Sequence, residues 1–351
     1  TMGEYFQQMQ NRKKMNTQPT ISVLMSTYKE PIEWLQLSID SILNQTFKDL
    51  EFIIVCDDPE YMEAVSLLKK KAEQDCRVLL LMNEENIGLT KSLNKGLQIA
   101  KGKYIARMDA DDISDVCRLQ VQYDFMETNP DITICGTGRR ILNGDKKSSK
   151  RYNTYTTHNE ILSVFVLISA FVHSTVLFRR DIIDKGMSYD EAAECVEDYD
   201  LWERMIERGC RFANIDQPLI FYRESGQQVS RRKSNIQISN STDVRRHFLR
   251  YCGIGLSDSE YEKMTYPFRA ELRMTTNDVE QYAQVLEKLF AQLKEVDWFD
   301  KRAYQTEAFR FLLNVAVRSN EKICSLRRVL QSPLTNIYSV RNNFMYYWSR
   351  L

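Results

Sequence analysis

The stretch GKYIARMDADD, residues 102–112, combines a strand signal with a cluster of acidic side chains. Residues 103–108 are rich in apolar and β-prone side chains, which predicts a short buried strand. The acidic run Asp109-Ala110-Asp111-Asp112 follows that strand directly. Helical periodicity over residues 89–100 precedes it, and Gly102 lies where a glycine commonly ends a helix. The stretch therefore predicts a helix, a strand and an acidic loop in that order.

The region upstream repeats this alternation of strand and helix. Its β-rich runs predict strands, and its amphipathic runs predict helices, at residues 21–26, 31–43, 51–56, 61–74 and 77–82. Strands separated by helices favour βαβ units, which form parallel sheets with right-handed crossovers. Ligands of such sheets bind outside the carboxyl ends of the strands. The polar segments at those ends are therefore candidate binding segments, at residues 27–30, 57–58 and 109–112.

The pattern changes near residue 235. From there onward helical periodicity dominates, and helices are predicted to begin near Ser257, Asn277, Asp300 and Leu334. We therefore expect an α/β chain with a central, mostly parallel sheet and a helical C-terminal region. The expected divisions are an N-terminal tail at residues 1–19, an α/β domain at 20–235 and the helical region at 236–351.

The bulk composition is that of a globular protein, with 43% hydrophobic and 27% charged residues in a chain of 351. Lysine plus arginine and aspartate plus glutamate number 48 each, so no global field attracts the chain to nucleic acid. Only three histidines are present, which argues against a histidine-based zinc site. The composition thus excludes nucleic acid as an expected partner.

The sequence carries no recognisable targeting signal. Residues 1–19 are polar and basic, unlike a signal peptide. The longest apolar run, residues 161–172, is too short to cross a bilayer and is predicted to lie in the core. The eight cysteines have no C-x-x-C spacing, which favours free thiols in a reducing compartment. We therefore expect a soluble, cytoplasmic protein.

The run Asp109-Ala110-Asp111-Asp112 predicts a cation site beside a phosphate. Its carboxylates would repel a diphosphate, whereas Mg²⁺ or Mn²⁺ accepts carboxylate and phosphate oxygens together. Such a cation neutralises charge on a departing nucleoside diphosphate. The alternative is a helix start at which Asp112 or Ser114 caps the following helix. The two interpretations are compatible, with Asp112 as the cap.

A second acidic run, Glu197-Asp198-Tyr199-Asp200, precedes an apolar helical face. The apolar residues of that face are Leu201, Trp202, Met205 and Ile206. Their helical spacing places the acids in the first turn of the helix. The helix dipole alone favours acids at this position. The functional alternative makes one carboxylate the general base that takes a proton from an acceptor hydroxyl.

Several motifs in one order along the chain resemble the family 2 glycosyltransferases. They are SVLMSTY at 22–28, IIVCDD at 53–58, NIGL at 86–89, NKG at 94–96, the stretch at 102–112, HST at 173–175, Glu197-Asp198, and Tyr222-Arg223 with QVS at 228–230. The resemblance covers roughly residues 20–230 and is to inverting enzymes of bacterial surface-glycan assembly. It implies the GT-A fold, a Rossmann-like nucleotide-binding domain.

The resemblance implies which side chains contact the donor. Thr27, Tyr28 and Glu30 would hold the nucleoside, and Asp57 would bond the edge of the uracil. Asp109 would face the ribose and the metal ion. The donor would accordingly be a nucleotide-sugar, with uridine as the expected nucleoside.

The resemblance also implies catalytic and acceptor roles. Asp111 would ligate Mn²⁺ or Mg²⁺, and Asp198 would act as the base, with Glu197 beside it in the acceptor site. His173 is assigned to the acceptor site, with a hydrogen-bonded core histidine as the alternative. Trp202 is assigned to acceptor binding as well, with packing in the core as the alternative.

Lys91, in the predicted helix after Gly88, is assigned to the donor phosphate, with a solvated lysine as the alternative. Two positions depart from the family pattern, since Pro59 stands where a glycine is frequent and Ser225 where a histidine is frequent. Water and diphosphate oxygens would then complete the metal's coordination. The basic run at residues 231–233 is predicted to be a loop that either closes over the diphosphate or stays solvated.

The C-terminal stretch at residues 337–348 is rich in aromatic side chains, with Arg341 inside it. Aromatic and basic residues together suit a membrane interface. The alternative is a helix that packs on the domain or on another subunit of an oligomer. The membrane interpretation would place the protein at the inner face of the plasma membrane, beside a lipid-linked acceptor.

Together these observations predict an inverting hexosyl- or N-acetylhexosaminyltransferase. It would move a sugar from a nucleotide-sugar, expected to be a UDP-sugar, to an oligosaccharide or lipid-linked glycan. A sugar nucleotidyltransferase is the alternative enzyme, but it would carry a glycine-rich phosphate loop, and residues 27–31 contain no glycine. A catalytically inactive glycan-binding protein is the alternative outside enzymes, although such a protein has no use for a base at Asp198.

Overall fold

The computed structural model describes residues 18–143, 146–151, 154–224 and 234–336, together with residues 338 and 340. Several predicted features lie outside these residues: most of the N-terminal tail, Ser225 with the QVS motif, the basic run at 231–233, and nearly all of the aromatic stretch at 337–348. The chain divides into two compact units. One comprises residues 1–154 and 171–232, and the other comprises 155–170 and 233–351.

The first unit is built on a mixed sheet of nine strands among the described residues. The strands are β1 Ile21–Thr27, β2 Leu50–Cys56, β3 Val78–Met82, β4 Tyr104–Arg107, β5 Ile113–Ser114, β6 Ile134–Asn143, β7 Lys146–Arg151, β8 Leu177–Arg179 and β9 Phe212–Arg223. Their spatial order is β3-β2-β1-β4-β8-β6-β9-β5, with β7 paired to β6. The first four are parallel to one another. Beyond β4 the neighbours are antiparallel, except that β6 and β9 are parallel.

Helices connect the strands of this unit. They are α1 Ile32–Leu43, α2 Met62–Gln74, α3 Leu89–Ile99, α4 Arg118–Thr128, α6 Asp181–Asp184 and α7 Glu197–Glu207, while α5 His158–Phe165 belongs to the second unit. A single 3₁₀ turn, His173–Thr175, precedes β8. The strands and helices predicted from residue 21 to residue 108 are confirmed, and their bounds differ from the prediction by no more than one residue.

The parallel half of the sheet forms the core of the unit. Every residue of β1 and β2 is buried, as expected for parallel strands that are covered on both faces. Leu35 and Ile39 of α1 pack against this core, and so does Leu119 of α4. The core therefore holds the carboxyl ends of β1, β2 and β4 at one edge of the sheet.

The predicted apolar face of α7 is confirmed. Its residues are all buried, and they are Leu201, Trp202, Met205 and Ile206. The Trp202 ring lies edge-on to Phe171, with ring centroids 5.8 Å apart. Because this face is fixed in the core, the first turn of the helix must present Glu197 and Asp198 at the surface of the core.

Gly102 is required by close approach of two backbones rather than by a helix cap. Helix α3 ends at Ile99, and Gly102 does not adopt the left-handed backbone that a terminating glycine would have. Its amide donates to Ser22 Oγ at 2.8 Å. A Cβ at this position would lie 2.4 Å from the Ser22 nitrogen and 2.7 Å from the Ile21 carbonyl carbon. The prediction that this glycine ends the helix is therefore wrong.

The second unit is helical in its described residues. Besides α5, its helices are α8 Ser234–Tyr251, α9 Asp258–Lys263, α10 Thr276–Leu293, α11 Lys301–Ala316 and α12 Lys322–Gln331. The starts predicted near Ser257, Asn277 and Asp300 are confirmed by capping boxes before α9 and α10 and by the Asp300 cap of α11. The start predicted near Leu334 falls mostly on residues outside the description, and α8 and α12 were not predicted.

Aromatic packing closes the core of this unit. The Phe165 and Phe248 rings meet edge to face at 4.9 Å between centroids, and Tyr304 donates to the Leu286 carbonyl at 2.9 Å. Ile161 of α5 is fully buried, so the apolar run at 161–172 contributes to a core as predicted. Over the described part of the chain, every helix falls short of the length and apolarity that a bilayer crossing requires.

Replacing Gly102 by alanine is expected to destabilise the fold by more than about 3 kcal/mol, because the new methyl group meets backbone atoms that cannot move aside. Gly209→Ala is the matched control. Gly209 has a positive φ of 73° but open space around it, so the control carries only the left-handed strain, about 1–2 kcal/mol. Urea unfolding of both variants would measure the difference. Equal losses would contradict a steric role for Gly102.

Candidate active site at the carboxyl edge of the sheet

The predicted binding segments adjoin one another in space. The Asp57 amide donates to the Thr27 carbonyl at 2.9 Å, which links the ends of β2 and β1. The Met108 amide donates to the Leu24 carbonyl at 3.0 Å, which links the end of β4 to β1. These bonds gather the loops after three strands at one edge, as the topology predicted.

The acidic run after β4 forms a compact cluster. Carboxylate oxygens of Asp109, Asp111 and Asp112 lie within 4.8 Å of one another. Asp109 is half-buried and forms an ion pair with Arg107, whose guanidinium is almost fully buried. The Asp109 carbonyl also accepts a hydrogen bond from Ser38 Oγ at 2.8 Å. The loop is therefore held from both its backbone and its side chains.

Asp112 is a structural residue of this cluster. Its side chain is fully buried and accepts hydrogen bonds from Ser174 Oγ at 2.6 Å and from the Arg223 amide at 2.9 Å. It thereby joins the acidic loop to the 3₁₀ turn and to β9. The prediction that Asp112 or Ser114 caps the next helix is wrong, because α4 begins only at Arg118 and has no side-chain cap.

Asp111 differs from Asp112 because the hydrogen bond that acts on its carboxyl comes from its own backbone, whereas Asp112 accepts from Ser174 and Arg223. Burial, followed by the nearby charges of Asp109 and Glu30, raises the pKa of Asp111 to about 7. The Arg223 guanidinium reaches the Asp111 carbonyl, at 2.9 Å, rather than its carboxylate. Half-buried carboxylates with an excess of negative charge match the hard oxygen ligands that Mg²⁺ and Mn²⁺ prefer. The residues present therefore fit a divalent cation at Asp109 and Asp111.

The loop after β1 is closed by hydrogen bonds to the Glu30 carboxylate. One Glu30 oxygen accepts from Thr27 Oγ1 at 2.6 Å and from the Tyr28 amide at 2.7 Å. Burial raises the pKa of Glu30, and Asp109 raises it further, so the loop lies beside the acidic cluster. Tyr28 is the exposed member, with 43% of its surface accessible and the Lys29 ammonium 4.8 Å from its ring centre.

Asp57 organises a neighbouring loop instead of presenting a free carboxylate. The side chain is 1% exposed. One oxygen accepts from Asn83 Nδ2 and the Ile87 amide, and the other accepts from Asn86 Nδ2 and the Gly88 amide, all at 2.7–3.0 Å. A carboxylate offers about four acceptor sites, so these protein donors occupy them. The contact of Asp57 with a uracil therefore stays a prediction, and a nucleotide would have to share these acceptor sites with the protein donors.

Lys91 is exposed on the first turns of α3. The lysine engaged by this loop is Lys95, whose ammonium donates to Asn83 Oδ1 at 2.9 Å. Lys91 therefore lies at the correct end of the sheet, but its place as a phosphate contact stays a prediction.

The second acidic run lies at the first turn of α7, and its two leading acids are half-buried. Burial raises the pKa of Asp198 to about 6, and burial together with the charge of Asp198 raises the pKa of Glu197 to about 7. Arg107 lowers the pKa of both acids. The two acids thus titrate near neutral pH, which is the range in which a general base works best.

Two loops of the site carry backbone strain. Among the described residues only Lys29 and Cys195 have a left-handed backbone without being glycine, with φ of 62° and 64°. Lys29 lies in the loop after β1, and Cys195 lies just before α7. Such conformations cost about 1–2 kcal/mol each and cluster at functional sites. The strain is thus located on the two segments that frame the acids.

A cavity of about 230 Å³ lies between the two acidic runs. Its walls include Asp109 from one run and Asp198 from the other, and the remaining walls are Arg139, Phe171, Val172, His173 and Tyr222. The sequence predicted Asp109, Asp198 and His173 for the site and did not predict Arg139 or Phe171. Those two residues come from the antiparallel half of the sheet and its loop, which had no clear local signal.

Trp202 is not a cavity residue. Its side chain has no exposed surface, and it packs among Phe171, Phe178 and His173. The assignment of Trp202 to acceptor binding is therefore corrected to core packing. His173 lies between this indole and the cavity.

Arg107 is the charged residue that the sequence interpretation left out. It lies at the end of buried strand β4 and is 1% exposed. Its charge acts on the acids of both runs, since it pairs with Asp109 and lowers the pKa of Asp198. A charged residue within an apolar strand is the signal that would have found it, because arginine is seldom fully buried unless it is paired.

Comparisons with known proteins agree with this arrangement. The family model described as Glycosyl transferase family 2 matches residues 22–187. The O-antigen biosynthesis glycosyltransferase WbnJ of Escherichia coli is 37% identical over 206 residues, covering 58% of this chain and 79% of WbnJ. The chain belongs to glycosyltransferase family 2. A second Escherichia coli relative is 30% identical to this glycosyltransferase over 247 residues, covering 68% of the chain and 87% of the relative. Its name is UDP-Gal:alpha-D-GlcNAc-diphosphoundecaprenol beta-1,3-galactosyltransferase.

Solved structures share the fold of this glycosyltransferase. S. aureus TarS 1-349 in complex with UDP-GlcNAc superposes with a TM-score of 0.54 at 14% identity, covering 89% of this chain and 91% of that one. The mannosyltransferase PcManGT from Pyrobaculum calidifontis, in complex with GDP-Man and Mn²⁺, gives 0.53 at 16% identity, covering 90% and 93%. At such identities the likeness concerns the fold alone, and it confirms the predicted GT-A fold.

Asp57→Asn is expected to destabilise the protein by about 2–4 kcal/mol, because an amide group would face donors that now bond a carboxylate. Asp58→Asn is the control, since Asp58 is more exposed. Thermal and urea unfolding would compare the two variants. A stable Asp57→Asn protein that has lost affinity for UDP would instead support the original uracil assignment.

Proposed function

We propose that this glycosyltransferase moves a sugar from a UDP-sugar to a glycan acceptor with inversion at the anomeric carbon. The observation that carries the proposal is the shared cavity, which Asp109 and Asp198 line together. An inverting transfer needs a donor held at one wall and a base at the other, on the face opposite the leaving group. The two acidic runs supply those two walls.

Asp198 is the proposed base. With a pKa of about 6 it is ionised at neutral pH and still basic enough to take a proton from an acceptor hydroxyl as that hydroxyl attacks. One of its oxygens accepts from the Tyr199 amide at 2.7 Å, which fixes the carboxylate at the helix start. Glu197, the second acid of the turn, is proposed to contact the acceptor.

Asp109 and Asp111 are proposed to hold a Mn²⁺ or Mg²⁺ ion. When bound, the ion would neutralise charge on the departing diphosphate. Asp112 is proposed to support these two residues without ligating, because its oxygens already accept from Ser174 and the Arg223 amide. Arg107 holds Asp109 in place through their ion pair.

The proposal of a UDP-sugar rests on the relatives rather than on Asp57. One relative is named for UDP-Gal, and one solved neighbour contains UDP-GlcNAc, whereas another contains GDP-Man. The exposed Tyr28 and the loop around Glu30 are the proposed contacts of the nucleoside, with Thr27 fixing the loop. Lys91 is retained as a proposed contact of the diphosphate.

The proposed acceptor is a carbohydrate, either free or linked to a lipid diphosphate. WbnJ is named for O-antigen biosynthesis, and the galactosyltransferase relative is named for an acceptor on diphosphoundecaprenol. The cavity has the size of about one sugar ring, and its polar and aromatic walls suit a sugar. We therefore propose that the terminal sugar of the acceptor enters this cavity.

Asp198→Asn is expected to lower the transfer rate by about 10²–10⁴-fold, because the variant lacks the base. Asp200→Asn, from the same turn, is the control, since Asp200 pairs with Arg204 on the same helix. Release of UDP or GDP from a panel of UDP-sugars and GDP-sugars would be measured with Mn²⁺ and a glycan acceptor from pH 5 to pH 9. In the wild type the rate should fall tenfold per pH unit below about pH 6, because Asp198 takes up a proton there. The titratable and charged groups that face Asp198 are Glu197, Asp109, Arg107, His173 and Tyr189.

The assignment of the base would be overturned by wild-type rates in Asp198→Asn or by an unchanged acid limb in that variant. A GDP-sugar as the sole donor would overturn the UDP proposal and leave the base intact.

Asp111→Asn is expected to weaken Mn²⁺ binding in the presence of UDP by at least about tenfold, because a charged ligand is lost. Its folding stability should not fall, since the substitution relieves repulsion from Asp109 and Glu30. Electron paramagnetic resonance of Mn²⁺ would measure the affinity, with Asp131→Asn as an exposed control. Unchanged affinity in Asp111→Asn would locate the ion elsewhere.

A further inference from the structure

His173 is held in the cavity wall by a buried tyrosine. Its Nε2 lies 2.8 Å from the Tyr189 hydroxyl, and the two rings meet edge to face at 5.4 Å between centroids. On another side the imidazole lies edge-on to Trp202, with centroids 6.2 Å apart. Packing and one hydrogen bond therefore fix the orientation of a ring that borders the same cavity as Asp198.

Tyr189 is itself anchored from a distant part of the first unit. The Asn94 side chain donates to the Tyr189 carbonyl at 2.9 Å and accepts from the Tyr189 amide at 3.0 Å. Asn94 is on α3, 95 residues away along the chain. Arg204 of α7 adds a bond to the Ser188 carbonyl at 2.9 Å. The segment that carries Tyr189 lacks regular secondary structure, so these side chains determine where its phenol lies.

The phenol decides which nitrogen of His173 carries the hydrogen. Tyr189 is 2% exposed, and burial raises the pKa of its hydroxyl, so the phenol keeps its hydrogen. A buried hydroxyl needs an acceptor, and among the described residues the bond formed by this hydroxyl is to His173 Nε2. Nε2 must then be the bare nitrogen. The imidazole hydrogen is consequently on Nδ1, because the two nitrogens of a neutral ring divide the roles of donor and acceptor.

The ring is neutral across the working range of pH. Burial lowers the pKa of His173 well below its ordinary value, and the charge of Arg107 lowers it further. Within the described residues no hydrogen bond is formed at Nδ1. The Nδ1–H group is therefore a hydrogen-bond donor of fixed orientation in the wall of a polar cavity. Such a donor is suited to bond an oxygen of a molecule that enters the cavity.

We propose that Tyr189 and Asn94 are positioning residues that present His173 Nδ1–H to an oxygen of the acceptor sugar. The bonded oxygen is a second one, beside the hydroxyl that Asp198 deprotonates. The acceptor is therefore a sugar with two neighbouring oxygens at the reacting end. This inference rests on the proposed function, since it takes the cavity to be the acceptor site.

The hydrogen's position can be measured without any substrate. The protein would be labelled with [¹⁵N]histidine, and long-range ¹H–¹⁵N correlation spectra would be recorded from pH 6 to pH 9. The chain has only three histidines, and His158→Gln and His247→Gln would assign the signals. We expect His173 to show a protonated Nδ1 and a bare Nε2 throughout. Tyr189→Phe should convert it to a mixture of tautomers or to the Nε2–H form. Tyr123→Phe is the control, because Tyr123 is on α4 and its ring packs on Phe47, and it should leave the tautomer unchanged.

A set of variants tests the effect on transfer. p-Nitrophenyl glycosides of glucose, galactose and their N-acetylamino forms would serve as acceptors, and hydrolysis of the UDP-sugar by water would serve as the reference reaction. Tyr189→Phe is expected to raise the acceptor KM about tenfold with less than a twofold change in donor KM or in hydrolysis. His173→Asn keeps an N–H near the Nδ1 position, so it should stay within about threefold of the wild type, whereas His173→Ala should resemble Tyr189→Phe.

The decisive comparison is the double variant. Because His173→Asn no longer needs the phenol, adding Tyr189→Phe to it should have little further effect on the acceptor KM. An Nε2–H tautomer in the wild type, or an unchanged tautomer in Tyr189→Phe, would overturn the proposal. So would equal losses in acceptor and donor KM. The expected spectra without transfer to any sugar would instead count against the proposed function, because the tautomer is measured independently.

Discussion

Repulsion among carboxylates at one edge of a parallel sheet is the constraint around which the first unit is organised. Glu30, Asp109, Asp111 and Asp112 come together because the strands that precede them are parallel neighbours. Asp112 accepts hydrogen bonds that tie the acidic loop to β9 and to the 3₁₀ turn. Arg107 supplies a buried positive charge. The remaining excess of negative charge is what a divalent cation would balance, and the bound cation would then allow a diphosphate to lie beside the carboxylates.

This arrangement works against folding stability at neutral pH. Glu197 and Asp198 have pKa values above their ordinary ones, so the folded chain binds protons more tightly than the unfolded chain. The contribution of these two groups to the free energy of unfolding is fully present below about pH 4, and it is lost as the pH rises through 6 to 7. Left-handed strain at Lys29 and Cys195 adds to that cost. Both features belong to the segments that carry the acidic residues of the site, which indicates that they are retained for chemistry rather than for stability.

Local sequence was sufficient where each element is defined by its own periodicity. The strands and helices from residue 21 to residue 108 follow from apolar runs and helical stripes, and the starts of α9, α10 and α11 follow from their caps. Strands β6 and β9 were beyond such reasoning. They are paired with strands far away in the chain, and no periodicity records which partner they will meet.

For the site, the sequence by itself determined which acids would be available, because a carboxylate that follows a parallel strand must emerge at the ligand-binding edge. It also determined the family, through motifs in a fixed order. Only the tertiary structure decided what each side chain does there. It saturates Asp57 with donors, encloses Trp202 in the core, and sets Tyr189 against His173. The physical reason is that burial and hydrogen-bond partners belong to three-dimensional neighbours, which a chain acquires only when it folds.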